Sequence, residues 1–246
     1  MNAFPYELLE EALPRLGLVV LQVDETIEQD FRRLFPSGTT QIHVSRVPSG
    51  AELTPDTIAQ MEATLPAAAA LLPPAAQFDA VGYACTSGTT LIGAARVAEL
   101  VSGAVQTRAV TDPLSAALAA CRALGLERVG IVSPYITSVA GPIRRAFEAA
   151  GLNVPDTLSF GEEVESRVAR IAPASIAEAA RNLAKRNTLD GVFLSCTNLR
   201  TLDIIAPLEA ELGLPVLSSN QVLGWHMAQL SGARIATAGH GRLLAG

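Results

Sequence analysis

Two stretches of this chain are built alike, and their likeness limits the fold more than any other feature. One is Val81-Gly-Tyr-Ala-Cys85-Thr-Ser-Gly-Thr-Thr90 and the other Gly191-Val-Phe-Leu-Ser-Cys196-Thr-Asn198. In each, an apolar run of the kind that forms a buried strand ends in a cysteine, and small hydroxyl or amide residues suited to helix capping follow at once. Gly17 precedes Cys85 by 68 residues and Gly130 precedes Cys196 by 66, so each cysteine closes a segment of nearly the same length. Each half reads strand, helix, strand, helix, strand, cysteine, helix, strand. Strands that alternate with helices imply parallel sheets with right-handed crossovers. The simplest architecture is two parallel sheets of about four strands each, related by a pseudo-twofold axis.

Taken in order, residues 16–21 are a continuous apolar run, as expected of a parallel strand covered on both faces, and a helix follows from Ile27. Residues 40–47 make a second strand, closed by Pro48-Ser-Gly50. Thr54-Pro55 has the form of an N-cap with proline at the first helical position and opens a helix to about residue 72. The third strand, 78–84, delivers Cys85; a helix over about 90–101 and a short strand over 107–111 follow. Asp112-Pro113 then opens a helix to about 124, and 128–133 is the strand that matches 16–21. A helix over about 138–150 ends at Gly151, which suits the left-handed position after a helix. Residues 158–160 are a short strand before an acidic loop, 173–186 an Ala-rich helix, and 191–195 the strand that delivers Cys196. A helix over 202–212, a strand over 214–217 and a helix over 219–230 complete the chain. The fold class is therefore α/β, with two pseudo-symmetric Rossmann-like (flavodoxin-like) domains: 1–112 plus 219–246, and 113–218. The active site is expected in the cleft between them.

In such sheets ligands bind outside the carboxyl ends of the strands. Cys85 and Cys196 fall there, as do Asp24 after the first strand and Tyr135 after its counterpart. A strand-to-helix junction offers unpaired backbone N–H groups and the positive end of a helix dipole, which bind carboxylates and favour thiolate over thiol. Inverting a carbon next to a carboxylate takes a base on one face and an acid on the other, and a thiolate with a thiol performs both roles. The same pair supports thiolate addition to an activated double bond, rotation and elimination. Thr86, Ser87, Thr89, Thr197 and Asn198 are placed to hold the carboxylate.

Several function classes are disfavoured. A net charge of −6 with no basic run argues against a general nucleic-acid binder. Cys85, Cys121 and Cys196 lack zinc-site spacing, and Cys121 reads as a core residue of an Ala-rich helix. Neither GxGxxG nor a P-loop is present, so no cofactor and no metal are implied. His43, His226 and His240 read as structural, with His226 beside Trp225 the one able to approach the cleft. The Ala/Leu-rich stretch 67–76 is broken by Pro73 and Pro74 and is too short to span a bilayer. The first fourteen residues carry Glu7, Glu10 and Glu11 without a basic region, unlike a signal peptide. A cytoplasmic protein is expected, whose partner is a small carboxylate rather than nucleic acid or membrane, with a homodimer as the oligomer carried forward.

Cys85-Thr-Ser-Gly-Thr-Thr90, Ser195-Cys-Thr-Asn198, Ser133-Pro-Tyr135 and Val168-Ala-Arg-Ile171 resemble the maleate isomerase and arylmalonate decarboxylase branch of the Asp/Glu racemase superfamily. Within that branch Leu21-Gln-Val-Asp-Glu-Thr26 and Pro48-Ser-Gly-Ala-Glu52 look most like EutA-type proteins of ectoine utilisation. The resemblance implies Cys85 as nucleophile or base, Cys196 as proton donor or second base, and Tyr135 in the pocket. It also implies that a decarboxylase would carry glycine in place of Cys85, so an isomerase or racemase is favoured. Maleate isomerases of this branch have Ser and Asn where this chain has Val23 and Asp24, and an Asn near the position of Glu165. An ionised acid repels a carboxylate and attracts an ammonium group. The substrate expected from Asp24 and Glu165 is thus an amino acid or acyl-diamino acid rather than plain maleate. The rivals are an arylmalonate-type decarboxylase and a non-catalytic small-molecule binding protein.

Overall fold

The computed structural model describes residues 3–8, 13–52 and 54–245; Glu10, Glu11 and the outermost residues assigned above to the first domain lie outside the described residues. The first half contains β1 (Arg15–Leu21), α1 (Ile27–Leu34), β2 (Gln41–Val47), α2 (Pro55–Ala69), β3 (Ala80–Ala84), α3 (Thr86–Ile92), α4 (Ala94–Ser102) and β4 (Val110–Thr111). The second begins with α5 (Pro113–Ala123), β5 (Val129–Tyr135), α6 (Thr137–Ala149), β6 (Thr157–Glu162), α7 (Glu165–Val168) and α8 (Pro173–Arg186). It continues through β7 (Gly191–Leu194), α9 (Ile205–Leu212), β8 (Val216–Ser218), α10 (Ser219–Ser231) and α11 (Arg242–Ala245). The strands form two all-parallel sheets with the same order, β2-β1-β3-β4 and β6-β5-β7-β8.

The duplicated pattern thus becomes duplicated topology. In each sheet the first strand of the half pairs with the strand that carries the cysteine, β1 with β3 and β5 with β7. These inner strands are covered on both faces, which is why they read as unbroken apolar runs, while the edge strands β2 and β6 are partly exposed. Among the described residues no helix is long and apolar enough to cross a membrane.

Two crossings tie the sheets together. Helix α5 leaves β4, yet its Leu114, Ala117, Ala120 and Cys121 pack in one core with Val129, Ile131 and Phe193 of the second sheet. Helix α10 leaves β8 of the second sheet and lays Leu223 and Met227 against Gly82 of β3, with Gly224 against Leu34 of α1. A Cβ at Gly82 would stand 2.7 Å from the Met227 sulfur, so the glycine is what lets the helix approach the strand. The start of α10 is fixed by a capping box, Ser218 with Gln221, and α2 opens on a similar box between Thr54 and Thr57.

The helix expected over 90–101 is two helices. It begins at once after Cys85 and breaks at Gly93, whose φ of 95° is a conformation that glycine adopts without steric cost. The acidic loop after β6 contains one helical turn, α7, and the helix expected from 202 starts at Ile205. No helix follows Cys196 directly: residues 197–204 form an irregular loop.

Candidate active site

Cys85 ends β3 and is itself the N-cap of α3, with extended backbone (φ −149°, ψ 110°) and Sγ accepting the Gly88 N–H at 3.1 Å. The Ser87 hydroxyl stands 3.7 Å from the same sulfur. Gly88 is required by its neighbours, since a Cβ there would lie 2.8 Å from the Cys85 sulfur and 2.6 Å from the Tyr83 hydroxyl. Gly88→Ala therefore favours the helix by about 1 kcal/mol but displaces the thiol. Overpacking of this kind costs about 1–3 kcal/mol, so the expected result is a Tm unchanged or lowered by a few degrees with turnover down about 100-fold, checked by thermal melting and steady-state kinetics on one preparation.

Cys196 reaches the same place by a different local route. It lies two residues past β7, and its φ of 154° is the one positive φ among described non-glycine residues, a backbone state that costs on the order of 1–3 kcal/mol. The turn lets the Asn198 N–H donate to Cys196 Sγ at 3.3 Å and brings the Tyr135 hydroxyl, at the end of β5, to 3.0 Å from that sulfur. The helix dipole expected at this cysteine is absent, because no helix starts there.

Hydrogen bonds that span the two halves hold the cysteines in register. The Ser219 hydroxyl at the start of α10 accepts the Cys196 N–H at 3.0 Å and meets the Thr86 hydroxyl at 2.8 Å. Thr197 Oγ1 donates to the carbonyl of Ala84, the residue before Cys85, at 3.3 Å. Asn198 is the main joint. Its Nδ2 donates to Glu165 Oε2 at 2.9 Å, its Oδ1 accepts the Glu25 N–H at 2.9 Å, and its carbonyl accepts the Thr26 hydroxyl at 2.9 Å. Asn220 Nδ2 bridges the Thr197 carbonyl and Asp30.

The residues singled out in the sequence therefore gather around one buried spot, but they do different jobs. Thr86, Thr197 and Asn198 have their polar groups engaged in joining the halves. Ser87, beside the Cys85 sulfur, and Thr89, whose buried hydroxyl has no hydrogen-bond partner, remain as donors for a ligand. Thr26, Tyr83, Ser219 and Asn220 join them without having stood out in the sequence; the Leu217-Ser-Ser-Asn220 junction is the available signal, a third strand that ends in capping residues. His226 is held elsewhere, 2.7 Å from the Thr111 hydroxyl and stacked on Trp225, while Cys121 is fully buried in α5.

Two acids complete the site. Asp24 is 4% exposed; its Oδ1 accepts the N–H groups of Thr26 and Ile27, and its Oδ2 is buried with no hydrogen bond of normal geometry, the Thr197 hydroxyl and the Arg46 charge being the further groups that favour the ionised carboxyl. Glu165 is 1% exposed, and both its oxygens are occupied, Oε1 by the Tyr135 hydroxyl at 2.7 Å and Oε2 by Asn198. Burial raises the pKa of both acids, more than their hydrogen bonds lower it. Arg46 reaches the carbonyls of Leu21, Gln22 and Asp24, with its charge already paired to Glu28.

The thiols reverse an expectation. Burial pushes Cys85 up to about 11 despite the Gly88 N–H, and pushes Cys196 up as well, with the charge of Glu165 acting in the same direction on both. At neutral pH the closed site holds thiols, because desolvation outweighs what one or two N–H groups supply. Its closure is visible in the chain: the Glu165 N–H donates to the Ala51 carbonyl at 3.0 Å, and Glu52 pairs with Val164 in an antiparallel bridge. Next to these bonds a cavity of about 250 Å³ is lined by Gln22, Val23, Asp24, Glu25, Ala51 and Ser166. Among the described residues no three His, Cys, Asp or Glu side chains converge in a way that could hold a metal ion.

Comparison with known proteins bears on the family and the fold. Residues 93–244 match the family described as arylmalonate decarboxylase. The maleate isomerase of Nocardia farcinica is 26% identical over 241 residues, covering 94% of this chain and 95% of that protein. The arylmalonate decarboxylase of Bordetella bronchiseptica is 33% identical over 135 residues, covering 54% of this chain and 56% of that protein. Among solved structures, a cysteine-to-serine variant of the Nocardia farcinica maleate cis-trans isomerase, with a covalently bound succinylcysteine intermediate, superposes with a TM-score of 0.85 at 24% identity. It covers 95% of this chain and 98% of that one. A liganded arylmalonate decarboxylase with two exchanged residues gives a TM-score of 0.82 at 26% identity over 94% of this chain and 98% of that one.

Proposed function

The chain belongs to the arylmalonate decarboxylase family, and on that footing we propose that it is a cofactor-independent isomerase or racemase of a small carboxylate that also carries a positive charge. Cys85 serves as base or nucleophile and Cys196 as the acid. The reading is carried by the convergence of two buried thiols, one from each half, through the bonds Thr86–Ser219–Cys196 and Thr197–Ala84. The relatives named maleate isomerase support the reaction class; the departure lies in the substrate.

Asp24 is what supports that departure. A buried carboxylate oxygen without a partner is unfavourable until something neutralises or hydrogen-bonds it. An ammonium group does both, whereas a second carboxylate would add repulsion to a site that already holds Asp24 and Glu165. The same ammonium explains how a buried thiol becomes a thiolate. A unit positive charge about 5 Å from a sulfur, at an effective dielectric constant of about 20, is worth about 3 kcal/mol, or about two pH units. The correct substrate thus lowers the raised pKa of Cys85 as it binds, and a purely anionic one raises it further.

The test is turnover of maleate against a panel of amino acids and acyl-diamino acids in D₂O. Racemisation exchanges the α-proton for deuterium and releases no CO₂. Thiol-addition isomerisation leaves existing C–H bonds largely unexchanged, and decarboxylation releases CO₂. The expected result is turnover of an ammonium-bearing acid without CO₂; maleate turned over as well as or better than every amino acid overturns the substrate assignment, and CO₂ release moves the chain to the decarboxylases.

A further inference from the structure

Each Glu165 oxygen already accepts a hydrogen bond from the protein, Oε1 from Tyr135 and Oε2 from Asn198, which separates its work from that of Asp24. The single hydrogen of the Tyr135 hydroxyl is directed at Glu165 Oε1, 2.7 Å away. The phenol oxygen is then left as acceptor toward Cys196 Sγ at 3.0 Å, so the S–H hydrogen lies on that line. Carboxylate, phenol and thiol form one hydrogen-bonded row, buried throughout, with Tyr135 at 3% exposure.

We propose that Glu165, Tyr135 and Cys196 form a proton relay in which the carboxyl group and the thiol share one proton, so that Cys196 switches between acid and base without drawing on solvent. In one state Glu165 is a carboxylate and Cys196 a thiol. In the other, the S–H bond breaks and its proton passes to the Tyr135 oxygen, while the phenol's former proton forms an O–H bond on Glu165; Cys196 is left as a thiolate accepting from the phenol. No electron changes hands, and the row holds the same number of protons in both states. The relay rests on the proposed reading for the role of Cys196 and not for the identity of the substrate. Glu165 acts through Tyr135 and is a positioning residue.

The charged and titratable groups around the row are few. Asp24 from the end of β1 raises both Glu165 and Cys196, and Cys85 at the head of α3 faces Glu165 and Tyr135. Around α7, Arg167 pairs with Glu162, Arg170 donates to the Ser166 carbonyl, and Arg200 from the following loop donates to the Ala169 carbonyl. Burial holds the Tyr135 hydroxyl well above its ordinary pKa, so it remains a phenol that passes protons rather than keeping a charge.

Thiolate absorbance at 240 nm, followed against pH in a Cys85→Ser, Cys121→Ser background and corrected for tyrosinate by subtracting the curve of the same protein carrying Cys196→Ser as well, reads Cys196 alone and needs no substrate. Glu165→Gln is expected to lower the Cys196 midpoint by at least one pH unit. The amide is placed by Asn198, which donates to its oxygen, so its NH₂ group turns toward Tyr135 and the phenol donates to sulfur. Adding Tyr135→Phe is expected to cut that shift to less than a third. A shift of equal size with and without the phenol hydroxyl overturns the relay, as does no shift at all. Should Glu165→Gln fail to fold by circular dichroism, Tyr135→Phe alone decides: the thiolate loses its donor and the midpoint rises by at least one pH unit, and an unmoved midpoint overturns the proposal. Failure here leaves the substrate test above untouched.

Discussion

Cys85→Ser and Cys196→Ser are each expected to abolish turnover while substrate affinity stays within about tenfold. A serine hydroxyl in the same buried place is far harder to ionise than a thiol that already stands at about 11 for Cys85, and it gives up or takes a proton from carbon correspondingly slowly. General acid–base catalysis is worth about 10²–10⁴-fold per group. If, as proposed, the two thiols act on opposite faces of one carbon, the losses do not add, and the double variant is expected to be no slower than the worse single one. In the proposed reading affinity is held by groups that the exchange leaves alone: Asp24, Ser87, Thr89 and the backbone. Calorimetric titration gives Kd and steady-state kinetics gives kcat, with Cys121→Ala as the control that keeps its rate, since Cys121 is sealed in the core of α5. Full activity of both serine variants on the true substrate would end the two-thiol mechanism. Loss of binding in step with loss of turnover would instead mark the thiols as ligand contacts in a binding protein.

The strand-borne part of this site was legible because parallel strands announce themselves locally. Runs such as 16–21 and 191–194 are apolar since both faces are covered, and matched spacing placed Cys85 and Cys196 at equivalent ends of two sheets with identical strand order. What the sequence hid was set by contacts between distant residues. Gly93 sits in a pattern that reads as one helix, and only its positive φ separates α3 from α4. Asn198 resembles an ordinary capping residue, but its bonds go to Glu25 and Glu165 rather than to its own following turn. Ser219, Asn220 and Thr26 look like helix-start residues and become the joints between halves for the same reason. The thiol states escape a reading of the sequence because it displays a helix start and conceals depth. At Cys196 even the helix start is absent, and a strained turn with the Asn198 N–H takes its place.

Asp24→Asn is expected to exchange substrate preference for stability. The carboxyl of Asp24 is raised from its ordinary value of 3.8 by burial. Below that value it is neutral in both the folded and unfolded chain and contributes nothing to the pH dependence. As pH rises above it the unfolded chain ionises freely while the folded protein holds the proton, so the unfolded state binds fewer protons and stability falls until the folded group ionises in turn. At neutral pH the ligand-free protein therefore carries a standing penalty that an amide does not. Measured against the wild-type protein, Asp24→Asn should show a higher Tm at pH 7, and the difference should shrink toward pH 4. Asp30, raised by burial to about 6, shifts stability in the same direction; the charge of Asp24 contributes to that rise, so Asp24→Asn relieves part of it and adds to the gain in Tm. Substrate moves the balance the other way. An ammonium group that loses its carboxylate inside a desolvated site costs about 3–5 kcal/mol, so KM for the ammonium-bearing substrate should rise by at least about 100-fold, while maleate, no longer facing that charge, should gain. Melting curves at the two pH values and paired kinetics on the two substrates read both effects. Unchanged preference with a raised Tm would show that Asp24 only caps α1 through its Oδ1, and the positive charge would have to be removed from the substrate.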